Sequence, residues 1–494
     1  MKKIFSPLLS PYTILFIVCF FSLFKNPGAP FSHGMPWIDS SVFIYTAKRM
    51  IAGQLVYKEV FDHKGLTLYL LNIAGLKIFN GKWLGIWVLQ LLCYFVTTAF
   101  LYKTLRFFYN KKISILAITT VLLYHGIISF GGNLTETWAL PFTSIALYIF
   151  AQYFVIQKKF SVVQLFLLSA TFILTLFLRL NLISIWGAFG IVVIFDLMKS
   201  KRWKELFVYA LYILIFCLLT AMPYFLYAYI KGIFGDFLYG YFTFNLMYLS
   251  KVVEKGSLFT MRNLPLIYFG IIILLSMIYS ILHFDGIRYK EFVLATGISF
   301  FVIAVSCSMG MNFYPHYFIQ FIPVLIFPLA ACFSFFVENL PKRKWIFAVS
   351  FWLIINIYLI GINVKDIQRN YSKADKTFYA QLDAIVSQYT ASDDKILEMG
   401  NNCNIYLFTN RESSSKYPYI YPIIEKDKRI EEYYLAEMEK SSRPQLIITD
   451  YLYELLSNNI KSRINEILQE NYEKIDVNTK NGEIYYSIWK LKSN

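Results

Sequence analysis

Eleven apolar runs, most of them near the roughly 20 residues that cross the hydrocarbon core of a bilayer, constrain this chain more than any other feature. They lie near 9–25, 83–102, 113–131, 137–156, 162–179, 181–198, 205–230, 263–283, 291–309, 317–338 and 345–362. The run 181–198 is short, and 205–230 is long enough to tilt. The stretch 66–80 is apolar but short. It reads as a re-entrant or interfacial piece, with a twelfth span as the alternative. Composition agrees: 57% of the 494 residues are hydrophobic and 16% charged, with mean hydropathy +0.50. Soluble domains carry about 25% charged residues. The expected fold class is a polytopic α-helical membrane protein with about eleven transmembrane helices.

Charge placement orients the spans. Lys2-Lys3, Lys103/Arg106/Lys111-Lys112, Lys158-Lys159, Lys199/Lys201-Arg202/Lys204, Arg288/Lys290 and Lys342-Arg343-Lys344 fall in alternate loops. Basic loops face the cytoplasm. An odd number of spans then puts the N-terminus inside, and the long first loop (26–82) and the C-terminal tail outside. A span at 66–80 would break that alternation. Residues 1–362 hold 29 Lys/Arg against 11 Asp/Glu. The net charge of +16 is therefore mostly loop bias, and nucleic acid is excluded as a partner. The opening Met1-Lys-Lys and its apolar run lack a small-residue cleavage site and read as a retained first helix. Five of the six cysteines fall in apolar runs, and Cys403 alone lies in the tail, so no internal disulfide of the tail is expected.

Two domains follow: a transmembrane module, 1–362, and an extracytoplasmic soluble α/β domain, 363–494. In the latter a helix is expected over Lys376–Gln388 and a strand over 395–399. A polar loop rich in Ser and Tyr follows (Arg411–Pro422), then a helix near 428–440 and a strand over 445–449. A helix over 451–471 and a hairpin turning at Lys480-Asn481-Gly482 complete it. The alternation suggests a small Rossmann-like layer. A Gly-x-Gly-x-x-Gly fingerprint is missing, so nucleotide binding has no support.

The expected outer surface collects the ionisable residues that could do chemistry. A carboxylate at the bilayer edge is costly unless paired or hydrated. Asp39, in Met35-Pro-Trp-Ile-Asp39-Ser-Ser, opens an amphipathic stretch, either as its N-cap (Ser40 or Ser41 being the other choices) or as a catalytic carboxylate. Asp62-His63-Lys64-Gly65 precedes an apolar run and is an interfacial anchor or a phosphate site. In the latter, Lys64 gives the charge and Gly65 lets backbone come close. Glu136 suits a helix N-terminus or an orienting role. Arg179, between two spans, either snorkels or binds an anion. His316 and Tyr317, in Phe313-Tyr-Pro-His-Tyr317, are interfacial aromatics or phosphate contacts. His125 and His283 read as structural.

Asp39-Ser-Ser-Val-Phe-Ile-Tyr and Gly53-Gln-Leu-Val-Tyr-Lys-Glu-Val-Phe-Asp62-His-Lys-Gly resemble the first outer loop of bacterial membrane glycosyltransferases of the GT-C superfamily. The branch is the one related to protein mannosyltransferases and the aminoarabinose transferase. Asn133-Leu-Thr-Glu136, Tyr314-Pro-His316-Tyr317-Phe-Ile-Gln-Phe-Ile-Pro323, Asn404-Ile-Tyr and Ser415-Lys-Tyr are similar to the same group, and the resemblance covers nearly the whole chain. It implies a GT-C fold and an inverting transferase in the bacterial plasma membrane, using a polyprenyl-phosphate sugar. The acceptor would be a glycan, lipid or protein, and membrane lipids would surround the module. The family's first-loop Asp matches Asp39. The protein mannosyltransferases place Glu next to it where this chain has Ser40. Metal use varies in the family, which leaves a divalent metal open.

The residues suit such a reaction. Charge develops at the anomeric carbon as on an oxocarbenium ion. The phosphate leaving group needs a cationic cradle, for which Lys64, Arg179 and His316 with Tyr317 are the candidates. The acceptor hydroxyl needs a base, first Asp39, with Asp62 or Glu136 orienting it or the acceptor. A flippase for a lipid-linked sugar and a scaffold of an envelope assembly complex are the other classes. A flippase would be expected to carry inverted repeats and broken helices near mid-membrane.

Overall fold

The computed structural model describes residues 10–250, 287–308, 314–339, 342–372, 374–439, 443–475 and 486–492. The chain opens with α1 (Pro11–Ser22), α2 (Ile38–Ile51), α3 (Leu66–Ile78), α4 (Leu84–Leu105) and α5 (Lys111–Ile128). There follow α6 (Thr135–Gln152), α7 (Val162–Leu176), α8 (Ser184–Lys199), α9 (Trp203–Ile230), α10 (Phe234–Phe237) and α11 (Phe244–Ser250). After the undescribed stretch come α12 (Ile287–Ser308), α13 (Ile322–Asn339) and the long α14 (Lys342–Tyr371). Ten of the eleven expected runs coincide with helices. The run 263–283 lies outside the described residues. Among the described residues six helices are long and apolar enough to cross a membrane.

Local sequence sets the helix starts. Asn110 accepts from Lys112 N and Ile113 N at 3.0 and 3.1 Å and caps α5. Ser161 and Gln164 form a reciprocal capping box on α7. Ser10 caps α1, with Pro11 at the first helical position. Three starts differ from expectation. Residues 180–182 form a 3-10 turn before α8, and Pro315–Phe321 form another before α13. Neither Asp39 nor its serines cap α2. That helix begins at Ile38, with Trp37 at the cap position and no side-chain cap. Asp39 falls in the first turn, where its charge favours the helix dipole.

α3 has 13 residues, about 20 Å of helix, against about 30 Å of hydrocarbon. It is among the shorter apolar helices, with α1 and α7. It hairpins tightly against α4: a Cβ on Gly85 would fall 1.8 Å from the Gly75 carbonyl oxygen. The helix α6 with its π-helical end, Thr135–Gln157, has 23 residues, about 34 Å. Glu136 stands at one end and a second polar cluster at the other, where Lys158 bridges Asp196 (2.9 Å) and Glu291. The surface of α9 is apolar and bare, with Phe207 70%, Leu218 62% and Tyr229 74% exposed. Such a face requires an apolar surrounding, which lipid supplies.

Beyond α14 lie α15 (Ala374–Tyr389), β1 (Lys395–Met399), α16 (Asn404–Thr409), β2 (Glu412–Ser413), α17 (Lys428–Glu439), β3 (Leu446–Asp450), α18 (Asn458–Asn471), β4 (Tyr472–Ile475) and β5 (Tyr486–Leu491). The sheet order is β2-β1-β3-β5-β4. β1 pairs in parallel with β2 and β3, whereas β5 runs antiparallel to β3 and β4. The helix expected from 451 starts only at Asn458, because Asp450 Oδ1 holds Leu452 N and Tyr453 N in a turn (2.8 and 3.3 Å). The 480–482 turn lies outside the described residues.

One hydrophobic core runs through α2, α3, the 224–248 segment and the sheet, and a second fills the helix bundle. The C-terminal unit is therefore packed onto the first loop. Polar links reinforce the seam: Phe61 N to Lys416 O (2.7 Å), Ser413 N to Tyr45 OH (2.8 Å), Asn404 Nδ2 to Pro36 O (2.9 Å) and Arg49 to Glu412 (2.7 Å).

Candidate active site

The seam gathers the residues singled out from sequence. Arg179, N-terminal to the 180–182 turn, bonds Glu136 at the start of α6. Thr135 Oγ1 donates to the other Glu136 oxygen at 2.9 Å. The guanidinium lies 4.5 Å from the centre of the Tyr317 ring, a cation–π contact. His316 Nε2 approaches Asp39 Oδ2 at 4.0 Å. The imidazole sits in an aromatic box: Tyr314 stacks on it at 5.7 Å, with Tyr317 and Phe130 edge-on at 4.7 and 5.9 Å. Trp37 in turn stacks on Phe130 at 4.6 Å.

Lys64 joins this group, within electrostatic reach of Arg179, Asp39 and Glu136. Its ammonium donates to His63 Nε2 at 2.6 Å. Burial, then the Lys64, Arg179 and Lys426 cations, push the His63 imidazole well below its usual range. It is therefore neutral and can accept. Burial likewise lowers the Lys64 amine, with the Asp62 carboxylate opposing the shift.

Gly65 has a different task from the one expected. Its backbone does not lie open to an anion. Gly65 N donates to Leu178 O (3.2 Å), and a Cβ there would fall 1.9 Å from Phe177 O. The missing side chain lets the first loop close on the 177–179 segment, which brings Lys64 to Arg179.

The three candidate carboxylates differ in access. The Asp39 side chain is 38% exposed, while those of Asp62 and Glu136 are 1%. Asp62 accepts from Tyr69 OH (2.8 Å), Tyr419 OH (2.9 Å) and His63 N (2.7 Å). Asp39 is the one of the three that is open to its surroundings.

Several participants were not singled out as site residues from the sequence. Asn133 Nδ2 donates to Ser40 Oγ and Asn72 Oδ1, each at 2.9 Å, and Trp138 Nε1 donates to Asn133 Oδ1 at 2.9 Å. This asparagine ties α2, α3 and α6 together behind Asp39. Its φ of +56° is one that Asn adopts more readily than most residues. Tyr248 faces His63 at 5.1 Å between ring centres. Tyr419 stood within a Tyr-rich loop, and that density was the one available hint. Among the described residues no group of three His, Cys, Asp or Glu side chains is placed to hold a metal ion.

The family model described as "Putative competence-induced protein Ccs4 N-terminal domain" matches residues 2–344. The chain belongs to this Ccs4 family. No curated protein matches it. Among solved structures it is similar to ArnT from Cupriavidus metallidurans in the apo state, with TM-score 0.63 and 13% identity, over 96% of this chain and 95% of that one. The same enzyme bound to undecaprenyl phosphate gives TM-score 0.63 and 11% identity, over 98% of both chains. The Archaeoglobus fulgidus oligosaccharyltransferase in the apo form gives TM-score 0.51 and 14% identity, over 90% of this chain and 70% of that one. ArnT, an aminoarabinose transferase, and the archaeal enzyme are GT-C glycosyltransferases. This Ccs4-family chain shares their fold.

Proposed function

We propose that the protein is an inverting glycosyltransferase. It moves a sugar from a polyprenyl-phosphate donor to a glycan, lipid or protein of the cell envelope, at the outer face of the bacterial plasma membrane. Residues 1–362 form the catalytic module, and residues 363–494 cover it from outside. The observation that carries this reading is the meeting of Asp39, Lys64, Arg179, Glu136, His316 and Tyr317, from distant segments, at one end of a GT-C bundle. ArnT, which shares the fold, was crystallised with undecaprenyl phosphate.

In the reaction, the acceptor hydroxyl oxygen attacks the anomeric carbon as the bond from that carbon to the phosphate oxygen breaks. Asp39 takes the hydroxyl proton. The departing polyprenyl phosphate gains a negative charge, which Lys64 and Arg179 meet in a site shielded from water. Tyr317 stacks on the guanidinium and fixes its plane. Glu136 holds Arg179 in place, His316 lines the passage beside Asp39, and Asp62 orients the His63-Lys64 backbone.

The test is transfer of labelled sugar from a panel of polyprenyl-phosphate sugars, with the protein in nanodiscs and native membrane extract as acceptor. Product is expected with the natural protein and not with Asp39→Asn of equal thermal stability. Full activity in Asp39→Asn would remove Asp39 as the base. Label that crosses a sealed vesicle without any product would make the protein a flippase.

A further inference from the structure

We infer that Tyr419, on the C-terminal unit, is a positioning residue for the Lys64 ammonium and acts through the Asp62 carboxylate; this rests on the donor site proposed above. A carboxylate buried this far must be paired or fully hydrogen-bonded. Among the described residues no lysine or arginine lies at ion-pair distance from Asp62; His63 is 3.8 Å away, and Lys64 interacts with it through space without a direct contact. Its charge is held instead by two tyrosine hydroxyls and the backbone N–H of His63. Hydrogen bonds to the charged form stabilise it. Asp62 is thus a fixed acceptor to which the next two residues are tethered.

The tether is short and over-determined at every other point. Asn245 Nδ2 donates to His63 O at 2.7 Å, Tyr57 OH to Lys64 O at 2.7 Å, and Gly65 N to Leu178 O at 3.2 Å. With the Asp62 bond, four backbone groups over 63–65 are anchored. The Lys64 side chain therefore leaves a rigid base, and its end sits against His63 and near Arg179. Tyr419 is the anchor that comes from the far side of the seam, 357 residues along the chain from Asp62. The backbone that follows it is tied to the sheet, because Ile420 N and Tyr421 N both donate to Gly400 O (2.9 and 3.0 Å), just after β1. Docking of the C-terminal unit is thereby transmitted, through one hydroxyl, to the geometry of a phosphate-binding cation. The unit completes the donor site as well as covering it.

The experiment titrates undecaprenyl phosphate into the full chain in nanodiscs. The variants are Tyr419→Phe, Lys64→Ala and the pair combined, with hydrogen exchange followed over residues 61–68. Hydrogen bonds to charged groups contribute about 1.5–3 kcal/mol. Tyr419→Phe should therefore weaken binding about tenfold or more, speed exchange at His63 to Thr67, and have almost no further effect once Lys64 is alanine. Asp62→Asn, which keeps an acceptor oxygen, serves as the second variant and should show the same dependence on Lys64. An equal loss from Tyr419→Phe with and without Lys64 overturns the inference, and so does unchanged exchange over 63–67. Absent binding by the natural protein would count against the donor reading instead. The exchange data would still decide whether Tyr419 holds this loop.

Discussion

Gly65→Ala is the most incisive perturbation of the seam. A Cβ at this position would lie 1.9 Å from Phe177 O and 2.3 Å from Phe177 C, where real contacts begin near 3.0 Å. Both neighbours are backbone, so no side chain can swing away. The loop and the 177–179 segment must separate by about 1 Å, breaking the Gly65 N to Leu178 O bond. Overpacking of this kind costs about 1–3 kcal/mol. A displacement of about 1 Å between groups that bind one phosphate is worth about 100-fold in rate. The assay is the initial rate of sugar transfer against donor concentration in nanodiscs, with thermal unfolding in parallel. The expected result is a fall in kcat/KM of about two orders of magnitude with a modest loss of stability. Gly187→Ala is the control, since nothing lies within 4 Å of its Cβ position and alanine favours a helix. Wild-type kcat/KM and stability in Gly65→Ala would refute the claim that this glycine sets the distance between Lys64 and Arg179.

Three further outcomes are expected. Arg179→Ala leaves Glu136 buried without its cation and should destabilise the fold by about 3–5 kcal/mol; the double variant with Glu136→Gln should recover much of that stability, but not donor binding, by thermal unfolding and undecaprenyl phosphate titration. Donor affinity should fall on the alkaline side at a pH below the usual 10.5 for lysine, because burial lowers the Lys64 amine and the neutral amine attracts phosphate weakly; Lys64→Arg should move that limb upward in pH. In the C-terminal unit, burial and the facing Asp450 carboxyl raise Glu398 well above its usual range, and burial also raises Asp450. Folded protein then binds more protons than unfolded, so stability should decline as pH rises from about 4 through the raised values. Glu398→Gln should flatten that decline and raise the melting temperature at pH 8, and an unchanged pH profile of unfolding would contradict the assignment.

The residues differ in how far they could be read in advance. The long apolar helices were legible because lipid demands about 20 apolar residues whatever the partner, and strands β1 and β3 because buried strands read as apolar runs. Asp39, Lys64 and Arg179 stood out because ionisable groups are scarce at the edges of apolar runs. The role of Gly65 did not, since a glycine that admits an anion and one that admits a carbonyl oxygen look alike. Asp62 read as an anchor or an orienting acid because its neighbours in sequence are charged. Tyr69 and Tyr419, which saturate it, are 7 and 357 residues away.

The sequence by itself determined the helices, the bias of charge between alternate loops, and the small set of groups able to do chemistry. Those properties rest on hydropathy, capping and backbone preference, which act over a few residues. Only the tertiary structure decided that Glu136 holds Arg179, that Asp62 is closed off while Asp39 stays open, and that the C-terminal unit reaches the Lys64 loop. Such pairings depend on contacts between segments far apart in the chain. A buried charge accepts whichever donors the packing brings to it, and no local pattern specifies which those are.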